Sequence, residues 1–151
     1  MTKRIGLFYG STTCYTEIAA EKICAAINKM LGPQTVQLHN LAFDSVLLMT
    51  KYNYLIMGIP TWDYGELQED WETQWDTLGT INLRNKHIAL FGLGDQIGYP
   101  EWFQDALGYL WHRVVRLGAS TKGEWPNIGY DFIQSKALNE EKNFFVGLAL
   151  D

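Results

Sequence analysis

Ile5-Gly6-Leu7-Phe8-Tyr9, followed by Gly10-Ser11-Thr12-Thr13-Cys14-Tyr15-Thr16, is the stretch on which the fold turns. Five apolar or small residues in a row suit a strand buried on both faces. The polar run behind them places four Ser and Thr hydroxyls beside backbone N–H groups where a helix begins. Beyond it, Ala20, Ile23, Cys24, Ile27 and Leu31 recur at helical spacing, and Gly32-Pro33 closes the stripe. A buried strand, a tight polar loop and an amphipathic helix are the opening unit of an α/β protein.

The pattern repeats down the chain. Thr35 to Leu38 suits a second strand near an edge. Asp44 is placed to cap a short helix through about Thr50. Tyr54 to Ile59 reads as the third strand, and a helix is expected from about Asp70 to Leu78. His87 to Leu93 reads as the fourth strand. Its Ile88 and Leu90 point one way and Ala89 and Phe91 the other, so both faces need cover. Phe103, Leu107, Leu110, Val114 and Leu117 form a helical stripe ended by Gly118. Ser120 to Trp125 reads as the fifth strand, Pro126 to Asn143 as polar and irregular, and Phe144 to Leu150 as extended again. Alternation of this kind predicts one doubly wound parallel sheet of order 2-1-3-4-5, with helices on both faces. Its switch point lies between strands 1 and 3, and ligands bind outside the carboxyl ends of strands at such a point. The loops after Tyr9, Ile59 and Leu93 are therefore the candidate site.

Bulk properties narrow the partners. The 151 residues suit a single domain. The formal charge of −5 disfavours nucleic acid and anionic membranes. No apolar run approaches the roughly 20 residues of a membrane span. Met1 to Arg4 has no signal-peptide layout, which points to the cytoplasm. The two cysteines, Cys14 and Cys24, make no C-x-x-C pair, and no metal-ligand spacing occurs. From Tyr52 to Leu83 there is no Lys or Arg, while Asp63, Glu66, Glu69, Asp70, Glu72 and Asp76 all fall there. Such a surface is either a solvated helix face or a dock for a basic partner.

Each loop has its own chemistry. The first lacks the Lys of a Walker P-loop, and no G-x-G-x-x-G marks a dinucleotide site; its hydroxyls and helix N-terminus suit a phosphate. The second, Pro60-Thr61-Trp62-Asp63-Tyr64-Gly65-Glu66, puts a Trp and a Tyr beside a glycine at the open end of a central strand, where an aromatic can stack on a flat ligand. The third, Gly94-Asp95-Gln96-Ile97-Gly98-Tyr99, again offers glycines, amides and an aromatic. A phosphate cradle and two aromatic loops at one switch point favour a phosphorylated flat heterocycle, a mononucleotide rather than a dinucleotide.

Gly-Ser-Thr-Thr-x-x-Thr, Gly-Ile-Pro-Thr-Trp and Gly-x-Gly-Asp-Gln-Ile-Gly-Tyr resemble the three FMN loops of the flavodoxins. The ending Phe145-Val146-Gly147-Leu148-Ala149-Leu150-Asp151 resembles theirs, and Gly129-Tyr130-Asp131-Phe132 resembles the loop that splits the last strand of the long-chain members. The likeness covers essentially the whole chain in order.

It implies an FMN-carrying, low-potential, one-electron carrier that is not an enzyme. Ser11, Thr12, Thr13, Cys14, Tyr15 and Thr16 would bind the phosphate. Trp62 and Tyr99 would sandwich the isoalloxazine, with Pro60, Thr61 and Tyr64 beside them. Asp63 to Gly65 would pass near the flavin N5. Leu93, Gly94 and Asp95 would hold the pyrimidine edge, Gln104 would contribute nearby, and Asp151 would approach the ribityl chain. Cys14 stands where these proteins usually have glycine. Asp63, Glu66, Glu69 and Asp70 would dock a ferredoxin/flavodoxin–NADP reductase and acceptor enzymes. The rival activity is an FMN-dependent quinone or nitro-compound reductase of the same fold.

The topology carries one further expectation. In the order 2-1-3-4-5 only the first helix lies on one face, so strands 3 to 5 stand almost bare there. Related flavodoxins have a final helix after Gly-Leu-Ala-Leu-Asp. The chain is therefore expected to be a truncated form lacking that C-terminal helix, or to cover the patch with a neighbouring chain. A monomer is expected of the complete protein.

Overall fold

The computed structural model describes residues 4–151. The expectation about Met1 to Arg4 thus falls largely outside the described residues. β1 (Ile5–Tyr9) lies between β2 (Val36–Asn40) and β3 (Tyr54–Trp62), and β3 pairs on its other side with β5 (His87–Leu93). All these pairings are parallel, with Leu7 level with Leu38 and Ile56, and Ile56 level with Ala89.

The edge beyond β5 is shared by two short strands. β6 (Ser120–Lys122) pairs with residues 87–89, and β9 (Leu148–Leu150) pairs with residues 91–93. The expected 2-1-3-4-5 order therefore holds, its fifth strand split as expected. The split is bridged by a two-residue ribbon, β7 (Trp125–Pro126) against β8 (Phe144–Phe145). The irregular segment between them is pinned from within. Phe103, Phe132 and Phe145 have ring centroids 5.3–5.7 Å apart, Tyr130 stacks edge-on to Phe145 at 5.0 Å, and its hydroxyl donates to the Ala149 carbonyl at 2.6 Å.

Helices cover the sheet unevenly. α2 (Glu69–Leu78), α3 (Asp105–Arg116) and a 3₁₀ helix (Val46–Lys51) contribute to the larger apolar cluster, which holds Phe8, Leu55, Met57, Ile59, Trp71, Ile88 and Leu90. The smaller cluster lies under α1 (Tyr15–Leu31) and holds Leu7, Tyr9, Ala20, Val36 and Phe91. Phe91 fits there because Gly58 leaves room: a Cβ at Gly58 would run into the Phe91 ring. On that face Ile56, Ala89, Leu93, Leu148 and Leu150 are only half-buried, as the sparse cover expected there requires.

One local expectation needs correction, and two local details are added. Ser45, not Asp44, caps the 3₁₀ helix, its Oγ accepting from the Leu47 N–H at 3.1 Å. Asp44 is engaged by His39 Nδ1 at 2.8 Å instead. α2 begins at Glu69, because Gln68 caps it by accepting from Asp70 and Trp71 N–H. The second loop is a hairpin: β4 (Glu66–Leu67) returns antiparallel to β3, pairing Trp62 with Glu66.

Candidate functional site at the carboxyl edge of the sheet

The three loops after β1, β3 and β5 meet in one open cleft of about 520 Å³, within the usual 300–1,000 Å³ of small-molecule sites. Thr13, Tyr15 and Thr16 form one wall. Pro60, Thr61, Trp62 and Asp63 form the second, and Leu93, Gly94, Asp95 and Tyr99 the third, with Asp151 closing the end. Twelve of the residues expected from the sequence therefore line one space.

The first loop ends at Cys14, whose backbone is left-handed at φ 69° and which caps α1 without a side-chain bond. Left-handed geometry is where glycine is least strained. The first N–H groups of α1 point toward the loop without intrahelical partners, as at every helix start. Ser11 Oγ is buried and has no hydrogen-bond partner. A buried hydroxyl left unpaired costs about 1–3 kcal/mol; Gln104 Oε1 and Arg113 Nε are buried and unpaired elsewhere in the fold. Below the loop, the Tyr9 hydroxyl donates to Glu17 at 3.3 Å. Burial first, and the Glu17 charge second, push its pKa up to about 12.

The second loop turns at Asp63 (φ 45°) and Gly65 (φ 88°). A Cβ at Gly65 would lie 2.9 Å from Asp105 Oδ2, so glycine is needed both for conformation and for space. Thr61 Oγ1 accepts from the Ala106 N–H at 3.0 Å, which fixes β3 to the start of α3. Trp62 Nε1 is buried and unpartnered. Asp105 is itself enclosed. Burial raises its pKa, against the opposing pull of the Lys136 backbone bond at 2.8 Å and the Lys136 charge.

In the third loop, Asp95 Oδ1 accepts from the Ile97 and Gly98 N–H groups at 3.1 and 2.8 Å. Such a turn holds the loop open with its own side chain. Gln96 clamps the chain end, its N–H and Nε2 donating to Asp151 at 3.1 and 2.7 Å. Nothing in the spacing marked Gln96 out, because its partner is 55 positions away in sequence.

Other expected residues stand elsewhere. Ser11, Thr12 and Cys14 belong to the first loop but not to the cleft wall. Tyr64 is exposed at the rim, packed edge-on against Trp102 at 4.9 Å and Tyr99 at 6.3 Å. Gly65 lies behind the wall, against Asp105. Gln104 is a correction: it is fully buried and offers no surface to a ligand. Its Nε2 donates to the Gly92 and Leu150 carbonyls, tying β5 to β9. Its left-handed backbone at the head of α3 turns the side chain inward to do so. Among the described residues, no group of His, Cys, Asp and Glu could hold a metal ion, and no helix is long and apolar enough to cross a membrane.

Comparison with known proteins bears on the same geometry. The family model described as Flavodoxin matches residues 7–142. Flavodoxin 2 of Escherichia coli strain K12 is 55% identical over 147 residues, spanning 97% of this chain and 83% of the relative. A flavodoxin of Nostoc sp. strain PCC 7120 is 47% identical over 151 residues, spanning 100% and 85%. A crystal structure of Fusobacterium nucleatum flavodoxin bound to flavin mononucleotide superposes with a TM-score of 0.90 at 28% identity, covering 99% of this chain and 85% of that one. With the sheet order, the split edge strand and the three loops all in the expected places, the chain belongs to the flavodoxin family.

Proposed function

We propose that this chain carries electrons one at a time on a single non-covalent FMN held in the carboxyl-edge cleft. The observation that carries this is the pair of buried, unpaired polar atoms beside the cleft, Ser11 Oγ and Trp62 Nε1. One lies in the loop that leads into the α1 N-terminus, where a phosphate is favoured. The other belongs to an indole placed to stack on a flat ring. The bound flavin supplies the redox chemistry, and the protein tunes it.

The chain's own contribution follows from its residues. The first loop, residues 11–16, would hold the phosphate. Trp62 and Tyr99 would cover the two ring faces, restricting access by hydride donors and leaving an edge for electron transfer. Gly94 and Asp95 would meet the pyrimidine edge, and Asp151 would be held toward the ribityl chain by Gln96. Among the described residues no basic side chain lines the cleft, whereas acids are close. One carboxylate at about 7 Å disfavours a further negative charge by roughly 2 kcal/mol at an effective dielectric near 20. Addition of the second electron is thereby made harder, which gives a low-potential couple.

Partner choice follows from charge. Asp63, Glu66 and Glu69 are exposed and Asp70 partly so, beside the aromatic rim. This surface suits a basic partner in the cytoplasm, a ferredoxin/flavodoxin–NADP reductase. Reduction by it slows as salt rises, because steering is screened beyond about 10 Å at 0.1 M; salt-independent rates would remove the steering claim. The carrier reading is tested by a redox titration followed through visible spectra. Two separated one-electron steps are expected. A single two-electron step, with fast bimolecular NAD(P)H oxidation, would favour a reductase instead.

A further inference from the structure

A second cavity, of about 800 Å³, lies between α2 and α3 beside the β4 hairpin. It shares no lining residue with the cofactor cleft, and its size suits a small molecule. Glu66 of β4 and Glu72 and Trp75 of α2 line it, with His112, Arg113 and Arg116 of α3. Positions 112, 113 and 116 fall on one helix face, since residues three and four apart are neighbours. Arg113 is anchored there. Its Nη2 donates to the Trp75 carbonyl at 2.8 Å, and its guanidinium carbon stands 5.2 Å from the Trp75 ring centroid. Gly79 makes the room, for a Cβ there would lie 2.5 Å from that Nη2.

The charges of this groove are left open. Among the described residues the only ion pair is His39 with Asp44. Arg113 and Arg116 therefore have no counter-ion there, and Glu66 and Glu72 share the cavity without pairing to them. Arg113 Nε is enclosed and also has no partner. The last turn of a helix favours cations, which accounts for their presence in α3. It does not account for a guanidinium fixed beside a cavity with most of its five donors unspent. Such a group matches a phosphate, which accepts several N–H bonds at once. The carboxylates of the same groove can accept only from donors such as hydroxyls or amines. We propose that the groove between α2 and α3 is a second ligand site, which takes a phosphate monoester bearing such donors, a nucleotide or a sugar phosphate. Its phosphate lies on Arg113 and Arg116 and its donors on Glu66 and Glu72. The site does not depend on the FMN reading.

The test titrates the FMN-saturated chain, freed of excess flavin so that the other cleft is filled, and follows backbone amide and Arg113 Nε–H resonances by NMR. The probes are AMP, ribose 5-phosphate, inorganic phosphate and adenosine. Both esters are expected to give saturable shifts at Arg113, Gly79 and Glu66, and to bind about tenfold tighter than inorganic phosphate, the scale of one hydrogen bond to a charged group. Adenosine is expected to shift nothing there. Tighter binding of AMP than of ribose 5-phosphate would make the ligand a nucleotide; equal or weaker binding would make it a sugar phosphate. Arg113→Gln also removes a contact to α2, so Arg116→Gln, at an exposed position, is the cleaner variant. It is expected to weaken both esters about tenfold. Shifts that rise linearly without saturating, or that sodium chloride of equal ionic strength reproduces, would overturn the proposal. So would adenosine acting like AMP, inorganic phosphate binding as tightly as the esters, or unchanged ester affinity in Arg116→Gln.

Discussion

Lys86 at the amino end of the sheet and the cleft loops at its carboxyl end hold buried polar groups in opposite ways. At the amino end, Lys86 is almost fully buried, and burial lowers its pKa. It is nonetheless satisfied: Nζ donates to the Tyr52 carbonyl and, at 3.3 Å, to the Thr50 carbonyl, closing the end of the 3₁₀ helix. At the carboxyl end, Ser11 Oγ and Trp62 Nε1 are buried and have no partner. Folding alone accounts for the Lys86 arrangement, since its ammonium finds its mates within the chain. It does not account for the second. Gln104 Oε1 and Arg113 Nε are buried and unpaired as well, outside the cleft lining; it is the place of Ser11 and Trp62 in the cleft loops that suits a partner outside the chain.

If that contrast is right, variants at the two ends fail differently. The largest effect belongs to the amino end. Lys86→Met leaves two carbonyls without their donor and should cost about 2–3 kcal/mol of stability, read by urea unfolding, with FMN affinity nearly unchanged. Loss of flavin affinity with little loss of stability would invert the comparison. Trp62→Ala should do the reverse. FMN binding is expected to weaken by about 1–3 kcal/mol, the cost of an aromatic stack and its buried area. Its effect on urea unfolding of the flavin-free chain should stay under about 1 kcal/mol, because the indole is only half-buried and makes no hydrogen bond to lose.

Ser11→Ala sharpens the point with a single atom. Its hydroxyl has no partner, so stability without flavin should be unchanged or slightly raised. FMN affinity should fall by about 1 kcal/mol, with riboflavin affinity unaffected. The smallest effect concerns Asp105, behind Gly65. Its pKa is raised in the folded state. The folded chain therefore keeps this proton longer than the unfolded one. The contribution is present below the ordinary carboxylate pKa and is lost as pH rises through the raised value. Asp105→Asn should remove that slope. Urea midpoints of the variant should gain on those of the unaltered chain as pH climbs from about 4 toward neutrality. Parallel midpoints across that range would show that the Lys136 contacts balance the burial.

The sequence was most informative where periodicity and topology act together. β1 and β5 begin and end where the apolar runs do, because both are buried on two faces and admit no polar interruption. The split fifth strand was legible from its two extended pieces around a polar stretch. The corrections share a cause. Ser45 rather than Asp44 caps the 3₁₀ helix because His39, in the neighbouring strand, takes the carboxylate. Gln104 turns inward because its backbone is left-handed, a property that glutamine rarely has and sequence does not announce. β4 escaped notice because two residues are too few to show alternation. Gln96 was missed as a builder of the site for a simpler reason. Its partner lies 55 positions away, and such pairings exist only once the chain has folded.

The central claim is that the cleft at the carboxyl edge holds one FMN. The most direct measurement is a fluorescence titration of FMN with the flavin-free chain. The account predicts that flavin emission falls to a sharp end point at one FMN per chain, and that Trp62→Ala blunts it. Emission that stays unchanged, or declines without an end point and equally in the Trp62→Ala variant, would contradict it.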